Sequence, residues 1–158
     1  MNVSLRPATD ADAVRVAEVL LSSRKAFLPY ACFARSDAEF YQWVRDVLIP
    51  AGGVTVACSG GLLVGVLATA REAGVSWVNH LYLAPSHVGQ GIGSKLLAHA
   101  LATLPLPVRL YTFQANTRGR RFYERYGFEA IQFTDGRSNE ERCPDVLYEL
   151  ASSRDAGA

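Results

Sequence analysis

Gly89, Gly91 and Gly93 separate a strand-like run, Val75–Leu83, from a segment in which Ile92, Leu96, Leu97, Ala100, Leu101 and Leu104 trace one helical face. No other stretch constrains the fold as strongly. Pro105 and Pro107 close the helix, and Val108–Phe113 follows as another strand. Strand, glycine turn, helix and strand make a crossover unit, which sets its two strands parallel. The upstream pattern is different. Val54–Cys58 and Leu62–Ala70 flank Ser59–Gly60–Gly61, and Glu72–Ala73–Gly74 precedes Val75–Leu83. Glycines between β-rich runs signal tight hairpins, because those turns need positive φ. The two patterns predict a mixed sheet, with an antiparallel N-terminal meander leading into a parallel pair.

The other elements fit around that sheet. A strand at Val3–Arg6 ends at Pro7, and Thr9 with Asp12 forms a capping-box-like start to a helix over Asp10–Ser22. Phe27–Ala34 is aromatic, aperiodic and interrupted by Pro29, so it reads as a loop or broken helix. Phe40, Trp43, Val44 and Val47 mark a second helix over Asp37–Leu48, and Thr117–Tyr126 is another, ended by Gly127. Phe128–Phe133 and Val146–Leu150 read as the last strands, separated by a polar loop, Thr134–Pro144. The expectation is one mixed α/β domain over residues 1–150, its sheet flanked by about four helices, with a frayed tail at 151–158.

Composition excludes several classes of function. At 158 residues the chain has the length of one domain, and 16 Lys+Arg against 15 Asp+Glu leave a net charge of +1. Binding to nucleic acid by bulk charge would need a basic excess. No apolar run approaches the ~18 residues of a membrane helix, and Met1–Pro7 lacks the pattern of a secretory signal. Cys32, Cys58 and Cys143 are odd in number and widely spaced, so they form neither a disulfide framework nor a metal knuckle. Cys58 reads as core packing, and Cys32 has no base near it in sequence. The default is a cytoplasmic protein without a metal.

The glycine turn is an anion site by its physics. Successive backbone N–H groups and the helix dipole converge there, and glycine lets a phosphate approach the main chain. Gln90, Ser94 and Lys95 add donors. A Walker loop needs Gly directly before Lys, but Ser94 precedes Lys95. A Rossmann fingerprint begun at Gly89 meets Ser94 at its last position, and the turn comes after a meander rather than on the first strand.

A third pattern fits. Leu81–Tyr82–Leu83, Gly89–Gln90–Gly91–Ile92–Gly93 and the leucine-rich helix resemble the acetyl-CoA motif of the GNAT N-acetyltransferase superfamily, Arg/Gln-x-x-Gly-x-Gly/Ala. Gly91 and Gly93 match, while Val88 stands at the leading Arg/Gln position. In that family this residue supports the loop and backbone amides hold the pyrophosphate. A second block, Asn116–Phe128, is similar to the family's Asn-x-x-Ala-x-x-Phe-Tyr-x-x-x-Gly-Phe signature, with Gly119 in place of Ala. The exchange keeps a small residue beside the cofactor.

The resemblance implies a GNAT-like fold in which Val75–Leu83 and Val108–Phe113 splay apart and the pantetheine arm of acetyl-CoA fills the gap. It implies cofactor contacts from Leu81, Tyr82, Leu83, Val88, Gly89, Gln90, Gly91, Ile92, Gly93, Ser94, Asn116 and Phe122. Tyr123 would protonate the departing thiolate, and a free N–H near Leu81–Tyr82 would polarise the thioester carbonyl. Val75–Leu83 carries no acid, which leaves His80, with an ordinary pKa near 6.5, as the candidate base. His87 and His99 are worse placed.

Arg118, Arg120, Arg121, Arg125 or Lys95 is expected at the cofactor's 3′-phosphate. The acceptor maps to Phe27, Leu28, Pro29, Tyr30 and Phe33, and to Asp135, Asn139, Glu140, Glu141 and Asp145, whose charge would draw a cationic amine. The expected activity is direct acetyl transfer to a primary amine of a small molecule, peptide or protein. Partners are then the amine and, as a candidate, a second copy of the chain, with no nucleic acid and no membrane. The rivals are a catalytically silent acyl-CoA-binding regulatory module and a nucleotide binder.

Overall fold

The computed structural model describes residues 2–31, 33 and 35–151; Cys32, Ala34 and all of the expected tail except Ala151 lie outside them. Seven strands form one sheet in the order β1-β2-β3-β4-β5-β7-β6. They are β1 Val3–Pro7, β2 Val54–Ser59, β3 Leu62–Glu72, β4 Val75–Leu83, β5 Val108–Phe113, β6 Glu129–Phe133 and β7 Asp145–Leu150. The helices are α1 Ala13–Phe27, α2 Asp37–Trp43, α3 Ile92–Thr103 and α4 Thr117–Arg125. β1 to β4 form the antiparallel meander, β4 and β5 are parallel, and β5, β7 and β6 close the sheet antiparallel.

Both hairpins form at the glycine turns. Ser59 pairs with Leu62 across Gly60 (φ 58°) and Gly61 (φ 80°). Glu72 pairs with Val75 across Ala73 (φ 52°) and Gly74 (φ 80°). Two successive positive φ values give the turn whose twist matches that of paired strands.

Several boundaries differ from the sequence reading, most by one or two residues, and four of the differences have a structural cause. The capping interaction is present, with the Asp12 carboxylate accepting from the Thr9 N–H at 2.8 Å and from Arg6 at 2.7 Å. It opens a 3₁₀ turn, Asp10–Asp12, and the α-helix starts only at Ala13. α1 then runs on to Phe27, because its inward face turns polar at Ser23 and Arg24 rather than ending. The second helix is α-helical only to Trp43 and continues as a π-helical turn, Val44–Leu48. Phe128 is no strand residue; it is a core side chain, 2% exposed.

α1 presses Val16, Ala17, Val19 and Leu20 against one face of the sheet, and α3 presses Ile92, Leu96, Leu97 and Ala100 against the other. At Gly65 the sheet and α3 pack tightly. A Cβ there would sit 3.0 Å from both Leu83 and Leu96, so glycine sets the depth to which the helix seats.

Candidate active site

β4 and β5 are joined at one end only. They pair at Ser76↔Val108 and Trp77↔Arg109 and no further along. Buried Ser76 pins that end: its N–H donates to the Pro107 carbonyl at 3.0 Å and its hydroxyl to the Pro105 carbonyl at 2.6 Å. Beyond it each strand keeps to its outer neighbour. β4 follows β3 as far as Gly65↔Leu83, and β5 follows β7 as far as Phe113↔Asp145. Asn79 is an extra residue in β4, since Ala68 pairs with His80 and Thr69 with Val78. Such a bulge bends its strand and leaves a peptide unpaired. The splay therefore offers an edge of β4 whose peptide groups have no ladder partner.

Two cavities meet at this splay. The larger, about 580 Å³, is lined by Leu81, Tyr82, Leu83, Val88, Gly89, Gly91, Gly93, Ser94, Asn116, Phe122 and Tyr123, together with Arg118 and Arg125. The smaller, about 200 Å³, takes in His80, Arg24, Phe33, Thr112, Glu141 and Asp145. Leu28, Leu81, Tyr82, Asn116 and Tyr123 line both and form the partition between them.

Of the expected cofactor residues, Gln90 and Ile92 do not line the larger cavity. Ile92 is 1% exposed in the core, and the Gln90 amide reaches the Ser86 carbonyl at 3.5 Å. Gly89 and Gly91 take φ of +78° and +82°. Gly91 caps α3 without a side-chain hydrogen bond, so the N–H groups of the first turn are free for an anion. No heavy atom of the described residues lies within 4 Å of where a Cβ of Gly91 would stand, so the turn is open on that side.

The basic residues divide. Lys95 is directed elsewhere, its Nζ donating to the Val3 carbonyl at 2.8 Å. Arg120 donates to the Tyr148 hydroxyl at 3.0 Å and packs over Phe133. Arg121 is exposed and outside both linings. Arg118 and Arg125 remain at the larger cavity.

Asn116 has a structural duty that the sequence reading missed. Its Oδ1 accepts from the Gly119 N–H at 3.1 Å, capping α4, and its Nδ2 donates to Thr112 at 3.2 Å. A Cβ on Gly119 would collide with the Asn116 amide, so glycine there makes room for the cap, and Gly119 also lines the larger cavity.

Tyr123 stacks edge-on against Phe122 at 5.2 Å and Phe128 at 5.9 Å. Burial, with Tyr82 nearby, holds its phenol well above the usual tyrosine range, so it keeps its proton at any physiological pH. His80 departs from the near-neutral pKa expected of it. Burial, reinforced by the Arg24 charge, lowers it to about 4. Its Nδ1 is buried without a hydrogen-bond partner among the described residues, and its ring contacts Trp43 at 5.7 Å and Tyr82 at 6.1 Å. His80 is a neutral imidazole at pH 7.

The expected acceptor residues converge only in part. Leu28, Phe33, Glu141 and Asp145 line the smaller cavity and Phe27 the larger, while Tyr30 packs edge-on against Phe113 at 6.1 Å. Asp135 pairs with Arg137 at 3.2 Å, and Glu140 lies 4.0 Å from Arg35. Asn139 braces the loop, donating to the Cys143 carbonyl at 2.7 Å and to Asp145 at 3.1 Å. Among the described residues no cluster of His, Cys, Asp or Glu could hold a metal, and no helix is long and apolar enough to cross a membrane.

Comparison with known proteins agrees with this geometry. No curated protein matches the chain. Among solved structures, apo YjaB from Escherichia coli aligns at 19% identity and TM-score 0.76 over 96% of this chain and 100% of its own. PaiA N-acetyltransferase from Thermoplasma acidophilum, solved with coenzyme A, aligns at 20% and 0.76 over 96% and 100%. Arabidopsis thaliana Naa50, bound to the bisubstrate analogue CoA-Ac-MVNAL, aligns at 21% and 0.72 over 96% and 100%. At these identities the likeness is one of fold. The model of the acetyltransferase (GNAT) domain matches residues 50–130, half of the chain, from the meander through the splay to the end of the second motif. With that match added to the splayed strands and the glycine turn, the chain belongs to the GNAT acetyltransferase family, which uses acyl-CoA.

Proposed function

We propose that this protein is an acetyl-CoA-dependent N-acetyltransferase that moves an acetyl group directly to a primary amine. One observation carries the reading: the unpaired edge of β4 runs from the glycine turn to a partition where Tyr123 faces both cavities. When bound, acetyl-CoA supplies an activated acyl group; an N–C bond forms, the C–S bond breaks, and the products are an amide and a thiol.

The chain's residues divide the work. The turn Gly89–Gly93 and the free amides of α3 hold the diphosphate, with Arg118 and Arg125 as the cations at that cavity. Peptide groups of Leu81 to Leu83 pair with the amides of the pantetheine arm, as an added strand would. An N–H on the same edge donates to the thioester oxygen as it gains charge. Tyr123 donates its phenolic proton to the departing sulfur; burial keeps that proton on the phenol until negative charge develops beside it.

His80 serves in its neutral form. A base whose conjugate acid has a pKa of about 4 cannot retain the proton of an alkylammonium, so the ammonium loses its proton to water. The imidazole lone pair orients the amine N–H.

The test is thiol release from acetyl-CoA over a panel of primary amines, with mass spectrometry of both products. The expected result is one acetylated amine per thiol and no acetylated protein. Calorimetric binding of CoA with no thiol released on any amine would identify a silent acyl-CoA-binding module instead.

A further inference from the structure

Arg24 is the cation that the proposed chemistry does not use. It lies in the last turn of α1, on the inward face, and lines the smaller cavity but not the larger. Its guanidinium carbon stands 4.6 Å from the centre of Phe33, 5.1 Å from Phe40 and 5.7 Å from Tyr82. Its Nε is buried with no hydrogen-bond partner among the described residues. None of the ion pairs among the described residues involves it. Three aromatic faces offset part of the cost of burying the charge, but rings accept no N–H bond in the guanidinium plane. A buried N–H without an acceptor is costly, and the partner that fits a half-buried guanidinium is an anion.

The anion is not a phosphate of the cofactor. The glycine turn that would hold the diphosphate opens on the larger cavity, on the far side of the Leu81–Tyr82–Tyr123 partition. The smaller cavity holds about 200 Å³, below the usual ~300–1,000 Å³ of ligand sites, so its occupant is small. Glu141 and Asp145 line the same space. Their charge penalises a doubly charged phosphate more than a singly charged carboxylate, and it favours an ammonium beside them. The planar fork of arginine matches a carboxylate through two parallel N–H···O bonds.

We propose that the acceptor is a small molecule carrying both an amine and a carboxylate, an amino-acid-like zwitterion whose carboxylate is held by Arg24. This rests on the proposed acetyl transfer only for which cavity takes the acceptor. The aromatic rings fix the guanidinium in place, and the amine is then presented to the partition at Tyr82 and Tyr123, on the side that His80 lines.

Product-side ligands test this without any turnover. Calorimetric titration of the CoA-bound protein with small N-acetylated amino acids and with the corresponding amides should show the acids binding at least ~10-fold more tightly, the range lost with one charged hydrogen bond. Arg24→Gln should abolish that difference, and Arg24→Lys should restore part of it. The acid–amide comparison on the unaltered protein stands even if both variants fold poorly. Equal affinity of acids and amides, no detectable binding of any acid, or an equal loss for both classes in Arg24→Gln overturns the proposal. Turnover separates it from the reading it rests on. If amides of amino acids are acetylated as efficiently as the acids, the carboxylate clamp falls and acetyl transfer stands. If the acids bind through Arg24 but no amine is acetylated, the clamp stands and acetyl transfer falls.

Discussion

Replacing Tyr123 by Phe removes one oxygen and leaves the aromatic packing in place. The ring contacts with Phe122 and Phe128 survive, and the hydroxyl enters none of the hydrogen bonds among the described residues. Folding stability should therefore move by less than ~1 kcal/mol, since no hydrogen bond is lost. The rate should behave otherwise. Loss of a general acid costs ~10²–10⁴-fold, which at ~1.4 kcal/mol per decade is ~3–5 kcal/mol of barrier.

The assay is thiol release at saturating acetyl-CoA and amine across pH, with CoA affinity measured separately. The expected result is a kcat reduced at least ~10²-fold with CoA affinity unchanged. Because burial keeps the phenol protonated above its usual range, the unaltered protein should show no fall in kcat from loss of this proton below pH ~10. A kcat within ~3-fold of the unaltered protein, at equal stability, would reduce Tyr123 to packing and refute the reasoning.

Gly91→Val places a β-branched residue at φ +82°, which should cost ~1–2 kcal/mol of stability, and sets its side chain where no heavy atom now lies within 4 Å. Calorimetry should find CoA bound at least ~10-fold more weakly, and unchanged affinity would place the diphosphate elsewhere. His80 tests the burial of its ring. Folded, it stays neutral until about pH 4, whereas the unfolded chain takes up that proton near the ordinary 6.5. Its contribution to stability is thus complete above pH 6.5 and is lost as the pH falls toward 4, by about 3 kcal/mol. In urea unfolding at pH 7 and 4.5, His80→Gln should recover most of that loss relative to the unaltered protein. Parallel pH dependence in the two proteins would show that the ring is not buried.

The sequence by itself determined whatever depends on neighbours along the chain. Gly60–Gly61 and Ala73–Gly74 dictate the hairpin turns, Gly89 and Gly91 the reversal before α3, and the strand–turn–helix–strand pattern the parallel pair. These are demands on φ and on hydrophobic spacing, and a few adjacent residues satisfy them. The glycine turn that opens on the larger cavity was legible for the same reason, because backbone φ and small residues build it. The second use of the Asn116 amide, capping α4 beside Gly119, was not legible, because it is decided by geometry across four residues.

Only the tertiary structure decided the rest. The β4–β5 ladder stops at Trp77, just before Asn79 bulges from β4, and beyond it the strands follow their outer neighbours apart, which no local pattern records. The reading of α1 stopped at Ser22 because Ser23 and Arg24 break its apolar period, and they do so because that face meets the cavities. His80 carries the same letters whether its pKa is near 6.5 or about 4. Burial and charge are sums over groups brought together from distant parts of the chain, so they exist only once it has folded.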